Sequence, residues 1–216
     1  MIQMAHFIFT AFGLIISFSS ISEAQQWELG GELGLGASHD PAITNPTGSA
    51  QTGFRVRPTA SVVWAENLYE YFSGEFRYMF RWGGPKLTSG GTQASMDGYA
   101  NVITYEILAH LGPRESRIRP FVAGGAGIKI YTGVNQQPTN QPLADFALLR
   151  PVTQVEPAVS AGAGLKYALG RDVQFRIDFR TYITPLPNDL IRPVGKSVIH
   201  GWSLDFAPMV GISYVF

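Results

Sequence analysis

The chain is dominated by segments in which large apolar residues occupy every second position. In the clearest of them, residues 72–82, aromatic side chains alternate with serine, glutamate, methionine and arginine. Because successive side chains of a strand point to opposite faces, this period of two predicts a strand with one apolar and one polar face. The same pattern predicts eight strands: Trp27–Ala37, Phe54–Trp64, Phe72–Trp82, Tyr99–Leu111, Val122–Ile130, Val155–Tyr167, Val173–Ile183 and Trp202–Phe216.

The connections between these strands alternate strictly between long and short. The long ones are residues 38–53, 83–98, 132–153 and 185–200, and the short ones are residues 65–69, 112–118 and 168–172. An even strand number places both chain ends on the side of the short turns. Long loops on one side and short turns on the other are typical of transmembrane barrels. The sequence therefore predicts an all-β fold, an eight-stranded antiparallel up-and-down transmembrane β-barrel.

The amount of apolar side chain indicates which face points outward. Eight strands with four to six large apolar residues each would overfill the interior of so small a barrel, so the apolar face must lie outside. The charged face then lines the lumen, where unpaired charges are costly. We predict an ion-paired lumen network of Glu32, Arg55, Arg57, Glu75, Arg77, Arg81, Glu106, Lys129, Glu156, Lys166, Arg176, Asp178, Arg180 and Asp205.

Within this network we expect Arg57 and Glu75 to lie opposite or diagonal across the second hairpin. The network is either a purely structural plug or a polar path for small ions, and the narrow lumen argues against a wide pore. Inward-facing glycines, in the stretches 125–129 and 162–166, are expected to make room for long charged side chains. Pro58, Pro157 and Pro208 lie inside predicted strands, where bulges or local irregularity are expected.

Aromatic residues gather near both strand ends and predict two interfacial girdles. Toward the short turns lie Trp27, Trp64, Phe72, Tyr167, Tyr214 and Phe216, and toward the long loops lie Phe54, Phe80, Trp82, Tyr99 and Trp202. The chain stops on a strand whose apolar face is Val210, Ile212, Tyr214 and Phe216.

The first 24 residues have the pattern of an export signal. Phe7–Phe18 is mostly apolar but too short to span a membrane, and Ser22-x-Ala24 has small residues where a signal peptidase cuts. We predict a signal peptide over residues 1–24, cleaved after Ala24, and a barrel over residues 25–216. The alternative is a buried N-terminal helix, since the segment holds His6 but no lysine or arginine before its apolar run.

Composition excludes several function classes. Sixteen basic and sixteen acidic residues balance, so no nucleic-acid partner is indicated, and the absence of cysteine excludes disulfides, thiolate metal sites and a cysteine nucleophile. The histidines lack metal-ligand spacing. We therefore expect no cofactor, no metal and no catalytic residues.

With its terminal strand, its loop asymmetry and the glycine-rich stretch 119–127, the chain resembles the small eight-stranded outer-membrane barrels of the OmpA membrane-domain and OmpX-like type. The resemblance implies residence in the bacterial outer membrane, contact with its lipid and lipopolysaccharide, and recognition by the barrel-assembly machinery. By the same resemblance, Val210, Ile212, Tyr214 and Phe216 form the C-terminal assembly signal. The family includes adhesins, small pores, anchors and a few enzymes, and so leaves any extracellular partner unknown.

A soluble ligand-binding barrel of lipocalin type would fit the strand count, but the outward aromatic residues and Phe216 argue against it. Three functions remain open for a membrane barrel. The expected one is a non-enzymatic structural or surface-interaction role; the alternatives are a narrow channel and a lipid A-modifying enzyme. His200 and Ser203 are three positions apart and would point to opposite faces of a strand, which disfavours the enzyme. Apolar residues in the two last long loops either form a binding surface or pack together as a cap: Leu143, Phe146, Leu148, Leu149, Leu186, Leu190, Ile191 and Val194.

Overall fold

The computed structural model describes residues 27–46, 48–135, 141–199 and 201–216, so the predicted signal peptide and its cleavage site lie outside the described residues. Fifteen strands are formed in this part of the chain. They are β1 (Trp27–His39), β2 (Ala42–Asn45), β3 (Gly48–Phe54), β4 (Arg57–Glu66), β5 (Phe72–Trp82), β6 (Pro85–Ser89), β7 (Thr92–Ser95), β8 (Asp97–His110), β9 (Ile118–Val134), β10 (Ala147–Leu149), β11 (Thr153–Ala168), β12 (Val173–Pro185), β13 (Ile191–Pro193), β14 (Val198–Ile199) and β15 (Trp202–Val215). The described residues contain no helix that could cross a membrane.

Eight of these strands close into an antiparallel barrel, as predicted. Their order around the wall is β1-β15-β12-β11-β9-β8-β5-β4, so each strand pairs with its chain neighbours in the wall and the last strand closes on the first. Trp27 and Phe216 fasten this closure by exchanging two backbone hydrogen bonds of 2.8 Å. Residues 67–71, 111–117 and 169–172 form the short turns at one end, called here the short-turn end; the opposite end is the long-loop end.

The outer wall of the barrel is apolar, and the side chains on it are solvent-exposed in the isolated chain. Leu33, in the middle of β1, is 68% exposed, whereas its neighbour Glu32 is 2% exposed. The exposed set, called here the apolar belt, comprises Leu29, Leu33, Val62, Trp64, Phe76, Tyr78, Tyr105, Ile107, Val122, Ile128, Val159, Ile177, Phe179, Val210 and Ile212. A water-soluble protein places such side chains in its core, so this wall is inverted with respect to water.

Aromatic rings do gather at both rims. Trp27 and Trp64 lie 5.3 Å apart at the short-turn end, and Phe80 lies 4.6 Å from Trp82 at the long-loop end. The prediction for Phe54 was wrong: this ring is buried and stacks 5.2 Å from Tyr131. The chain leaves the strand conformation between β3 and β4, so Phe54 belongs to a separate sheet above the wall.

The three prolines inside wall strands do not shift the strand register. Pro58 lies opposite Leu35 of β1. Pro157 lies opposite Ile128 and Pro208 lies opposite Phe179, in a register that continues unchanged on both sides. Among the wall ladders, only that between β1 and β15 has a gap: no residues are paired between Gly34–Met209 and Ala37–Phe206. The expected bulges are therefore absent from these ladders, and the irregularity is a local loss of pairing.

The long connections fold into strands of their own. A five-stranded sheet has the order β14-β2-β3-β6-β7, and β10 pairs with β13. One face of these strands is buried in a common core of Ile43, Phe54, Leu87, Ala94, Met96, Ala100, Tyr131, Ala147, Leu149, Leu186, Leu190 and Ile191. Leu143 and Phe146 pack against it. Of the two roles open for the apolar loop residues, the structure therefore forms the cap, and the name cap is used below for these two sheets and their core.

Candidate functional site

The lumen is the most chemically distinctive region of the molecule, and Arg176 of β12 lies at its centre. Its Nη1 is 2.8 Å from Glu28 Oε1, its Nη2 is 2.7 Å from Glu75 Oε2, and its Nε is 3.2 Å from both Glu32 Oε1 and Asp178 Oδ2. All five side chains are buried. One guanidinium therefore joins carboxylates from three strands of the wall.

Two further arginines extend this network. Arg77 donates to Glu75 at 2.7 Å and to Glu32, and Arg180 donates to Glu106 at 2.8 Å and to Asp178 at 2.5 Å. Because residues two apart on a strand share a face, the inward alternation on β5 and β12 places these opposite charges side by side. We call the group Glu28, Glu32, Glu75, Arg77, Glu106, Lys166, Arg176, Asp178 and Arg180 the central network; Lys166 joins it through an ion pair with Glu28.

Inward glycines make the room that these side chains occupy. A Cβ built on Gly162 would lie 2.6 Å from Arg180 Cδ, and one on Gly125 would lie 2.9 Å from Glu106 Cγ. The Phe121 ring fills similar space against Gly164, where a Cβ would lie 2.4 Å from the ring. At both Gly162 and Gly125 the atom nearest to the built Cβ is a backbone carbonyl oxygen of the neighbouring strand, of Phe179 at 2.3 Å and of Tyr105 at 2.1 Å. Glycine is thus required by the close approach of that backbone as well as by the long charged side chains.

An apolar layer lies above the central network, toward the long-loop end. It consists of Met79, Val102, Tyr182, Ala207 and Met209, which are at most 2% exposed and pack together. On β5 and β12, which run toward the long-loop end, these residues follow the network: Met79 comes two positions after Arg77, and Tyr182 two positions after Arg180. On β8, which runs the other way, Val102 comes four positions before Glu106. The apolar layer separates the central network from a second polar group.

This upper polar group links the lumen to the cap. Arg81 and Lys129 both pair with Asp205, and the Lys129 ammonium lies 4.3 Å from the centre of the Tyr131 ring. Ser203 donates to the buried Asp40 carboxylate. The Tyr131 side chain in turn belongs to the core of the cap. From the short-turn end to the long-loop end, the interior therefore consists of four layers: the charged central network, the apolar layer, the upper polar group and the apolar core of the cap.

Three predicted network residues lie outside these groups. Arg55 pairs with Asp97 beside the cap, Arg57 is exposed, and the half-buried Glu156 accepts a hydrogen bond of 2.6 Å from Gln154.

The predicted proximity of Arg57 and Glu75 was wrong. The β4–β5 register places Ala65 opposite Glu75, whereas Arg57 is the first residue of β4, at the other end of the wall. The sequence pattern predicts which residues of each strand face inward, but it does not predict the register between neighbouring strands.

The sequence pattern also missed buried polar residues at the short-turn end. Arg119 donates to the side chain of Asn67 at 3.2 Å and to the carbonyl oxygens of Glu70 at 2.6 Å and Gly112 at 3.3 Å, and so ties two turns together. Ser73 Oγ lies 2.8 Å from His110 Nε2. Arg119 and Glu28 each lie an even number of positions from the other inward-facing residues of their strands, so the alternation could have predicted that they point inward. Asn67 lies in a turn, where no such alternation predicts its contacts.

Metal chemistry finds no support in the described ranges. No three histidine, aspartate or glutamate side chains within them come together as possible metal ligands. His200 lies outside the described residues, so the expected divergence of His200 and Ser203 has no structural test.

The sequence matches no protein-family model and no curated protein. Solved structures do match in fold. The outer membrane protein OprG from Pseudomonas aeruginosa has a TM-score of 0.58 at 12% identity, over 89% of this chain and 96% of that one. Neisserial surface protein A has a TM-score of 0.54 at 9% identity, over 90% and 100%. The outer membrane protein AlkL, solved in lipid bilayers, has a TM-score of 0.50 at 16% identity, over 93% and 94%. The chain therefore has the fold of the small eight-stranded outer-membrane β-barrels.

Proposed function

We propose that this protein is a non-enzymatic, integral barrel of the bacterial outer membrane that holds a folded cap at the cell surface for a structural or surface-interaction role. The inverted wall carries the proposal: leucine, valine and aromatic side chains are exposed around a closed barrel whose interior holds buried ion pairs. In hydrocarbon this arrangement places the apolar belt against lipid and keeps the charged side chains in the lumen, and closure leaves no edge of the barrel sheet unpaired. In water it would expose the whole apolar belt.

The layered lumen favours an anchor over the narrow channel. The central network occupies its cross-section with three fully buried arginines, and the apolar layer adds a zone without charge for an ion to cross. The core of the cap then covers the long-loop end. A small ion would have to displace paired charges and then cross methionine and valine side chains.

The buried Ser73–His110 pair does not favour the lipid A-modifying enzyme. Ser73 also donates to Asn67 Oδ1 at 2.9 Å, and both members of the pair are buried inside the lumen at the short-turn end. A lipid substrate would have to pass the wall or the turns that Arg119 holds together. We assign the pair a structural role in closing this end.

The proposed orientation places the cap outside the cell and the short turns in the periplasm. Lipopolysaccharide would then surround the upper part of the apolar belt, and the strand face of Val210, Ile212, Tyr214 and Phe216 would serve as the signal for the assembly machinery. Removal of Phe216 should reduce insertion strongly, measured as the heat-modifiable fraction in the outer-membrane pellet. Normal insertion of that variant would argue against the assembly signal.

Two measurements test the function. The mature protein should resist alkaline extraction and show heat-modifiable migration in detergent gels; recovery as a soluble periplasmic protein would contradict the proposal. In planar bilayers, the inserted wild-type protein should give no stable conductance. Steady ohmic steps from a homogeneous preparation would instead establish the narrow channel.

A further inference from the structure

The apolar belt contains a depression of about 500 Å³. It is lined by the large side chains of Leu29, Val62, Val173, Ile212 and Tyr214, together with Gly30, Gly31 and the buried Ser213. These residues belong to β1, β4, β12 and β15, where the last strand closes on the first. We call this depression the Gly31 groove.

The groove exists because Gly31 occupies an outward position whose outward neighbours carry large side chains. The register places Gly31 directly between Val62 on β4 and Ile212 on β15. Along β1 its outward neighbours are Leu29 and Leu33. Within the part of the chain that the structure describes, no atom beyond Gly31 and its two chain neighbours lies within 4 Å of a Cβ built on Gly31. A side chain is therefore missing from the wall although nothing in the fold prevents one.

Resting on the proposed insertion in the outer membrane, we propose that the Gly31 groove is a binding site for one hydrocarbon chain of a phospholipid. The groove walls are aliphatic and aromatic, with the Tyr214 hydroxyl as the only side-chain polar group that the lining exposes, so a charged headgroup finds no partner inside it. The distance from Leu29 to Leu33 is about 13 Å at the rise of a β-strand, which suits an extended methylene chain lying along the strand.

The position of the groove selects the leaflet. Gly31 is four residues from the start of β1, in the half of the wall nearer the short-turn end, beside Trp64, Tyr214 and Phe216 of the aromatic girdle. In the proposed orientation this half faces the inner, phospholipid leaflet. A chain can enter past the girdle while its headgroup stays at the interface.

A second copy of the barrel is a poorer occupant. The groove has eight lining residues, whereas a stable protein interface uses about 20–30 residues on each side. It is a local notch between projecting side chains rather than a broad flat face. One flexible chain fits this shape better than another wall does.

The test uses native mass spectrometry of purified, heat-modifiable protein transferred from phospholipid nanodiscs to mild detergent, with retained phospholipid counted per barrel. The variants are Gly31→Ala and Gly31→Leu, which fill the groove in steps. Gly124→Leu is the matched control. Gly124 is also exposed and outward, with the nearest atom 4.0 Å from a built Cβ, but its outward neighbours on β9 and β11 include Ala126 and Ala161.

We expect wild type and Gly124→Leu to retain one phospholipid equally. Gly31→Leu should lower the ratio of bound to unbound barrel about tenfold, as expected for the loss of one or two buried methylenes, with Gly31→Ala in between. Equal retention by all four proteins would overturn the inference. So would dimers in wild type that Gly31→Leu abolishes, because they would make the groove an interface between copies. Heat-modifiable migration is measured separately, so failure of the lipid assay leaves the proposed insertion standing.

Discussion

The barrel and the cap are built from the same chain by opposite rules. In the barrel, charged side chains such as Arg77 and Arg176 are buried and leucines are exposed; in the cap, Ile43, Leu87 and Ile191 are buried and the outward face of the sheet is polar. Both regions use strands with a period of two, so local conformation is the same. With the barrel in the membrane as proposed, the difference teaches that the surrounding solvent, hydrocarbon or water, decides which face of the alternation becomes the interior.

The largest expected effect comes from breaking the central network. Arg176→Met leaves the carboxylates of Glu28 and Glu75 without their shared partner and should lower the free energy of unfolding by about 3–5 kcal/mol. Urea unfolding of the barrel in detergent, followed by heat-modifiable migration, measures it. The double variant Arg176→Met/Glu75→Gln should recover part of the loss, because it removes one carboxylate charge from a network that has lost an arginine.

The control for this change is Arg192→Met, an exposed arginine of β13 in the cap. It should leave the urea midpoint of the barrel unchanged. Equal urea midpoints for Arg176→Met and Arg192→Met would show that Arg176 contributes no more to the stability of the barrel than an exposed arginine does.

A charge on the outer wall distinguishes the two solvents directly. Leu33→Arg places a guanidinium near the middle of the apolar belt and should destabilise the inserted barrel by roughly 2–4 kcal/mol. Gln93→Arg, on the exposed face of β7 in the cap, should have no measurable effect. Refolding into liposomes at increasing urea concentration compares them; tolerance of Leu33→Arg would mean that this wall faces water.

Weakening the core of the cap should have a local effect. Leu87→Ala should loosen the cap by about 2 kcal/mol, the low end for a buried leucine, because the short strands can collapse around the cavity. Proteolysis of the long loops should accelerate while the urea midpoint of the barrel stays constant. Thr88→Ala, on the opposite face of β6, is the control, and a fall in the barrel midpoint would show that barrel and cap unfold together.

The smallest effect concerns a polar contact on the outer wall. The Tyr78 hydroxyl donates to Asn101 Oδ1 at 2.7 Å, which satisfies two polar groups on the apolar face. Tyr78→Phe should cost about 0.6 kcal/mol, the average for such bonds in membranes. A double-mutant cycle with Asn101→Ala measures the coupling; zero coupling would show that water or lipid headgroups satisfy both groups equally well.

The eight wall strands and their inward faces were predictable because alternation depends only on local sequence. The register between strands depends on the turns that connect them, which is why Arg57 and Glu75 were wrongly predicted to lie together. The strands of the cap could not be predicted from the sequence for a related reason. β2, β6 and β7 are four or five residues long, too short for a period of two to stand out, and they gain a buried face only when loops distant in sequence meet.

The site follows the same division. Most members of the central network were evident from inward charges on the wall strands, although Glu28 was not predicted. Their pairing was not evident, because Arg176 reaches Glu28 over 148 positions of sequence. Asp40 had no signal, since it follows the end of β1 and is buried by residues distant in sequence, among them Ser203 of β15.

The most direct test of the inverted wall is a spin-label scan, which the chain permits because it contains no cysteine. Single cysteines are placed through β5 and β6, and each nitroxide is probed with oxygen, which favours hydrocarbon, and with a water-soluble nickel chelate. At Phe76, Tyr78 and Phe80 of β5 we predict high accessibility to oxygen and low accessibility to nickel. At Lys86 and Thr88 of β6 we predict the reverse. Nickel accessibility at the outward positions of β5 would contradict the account, because the apolar belt would then face water.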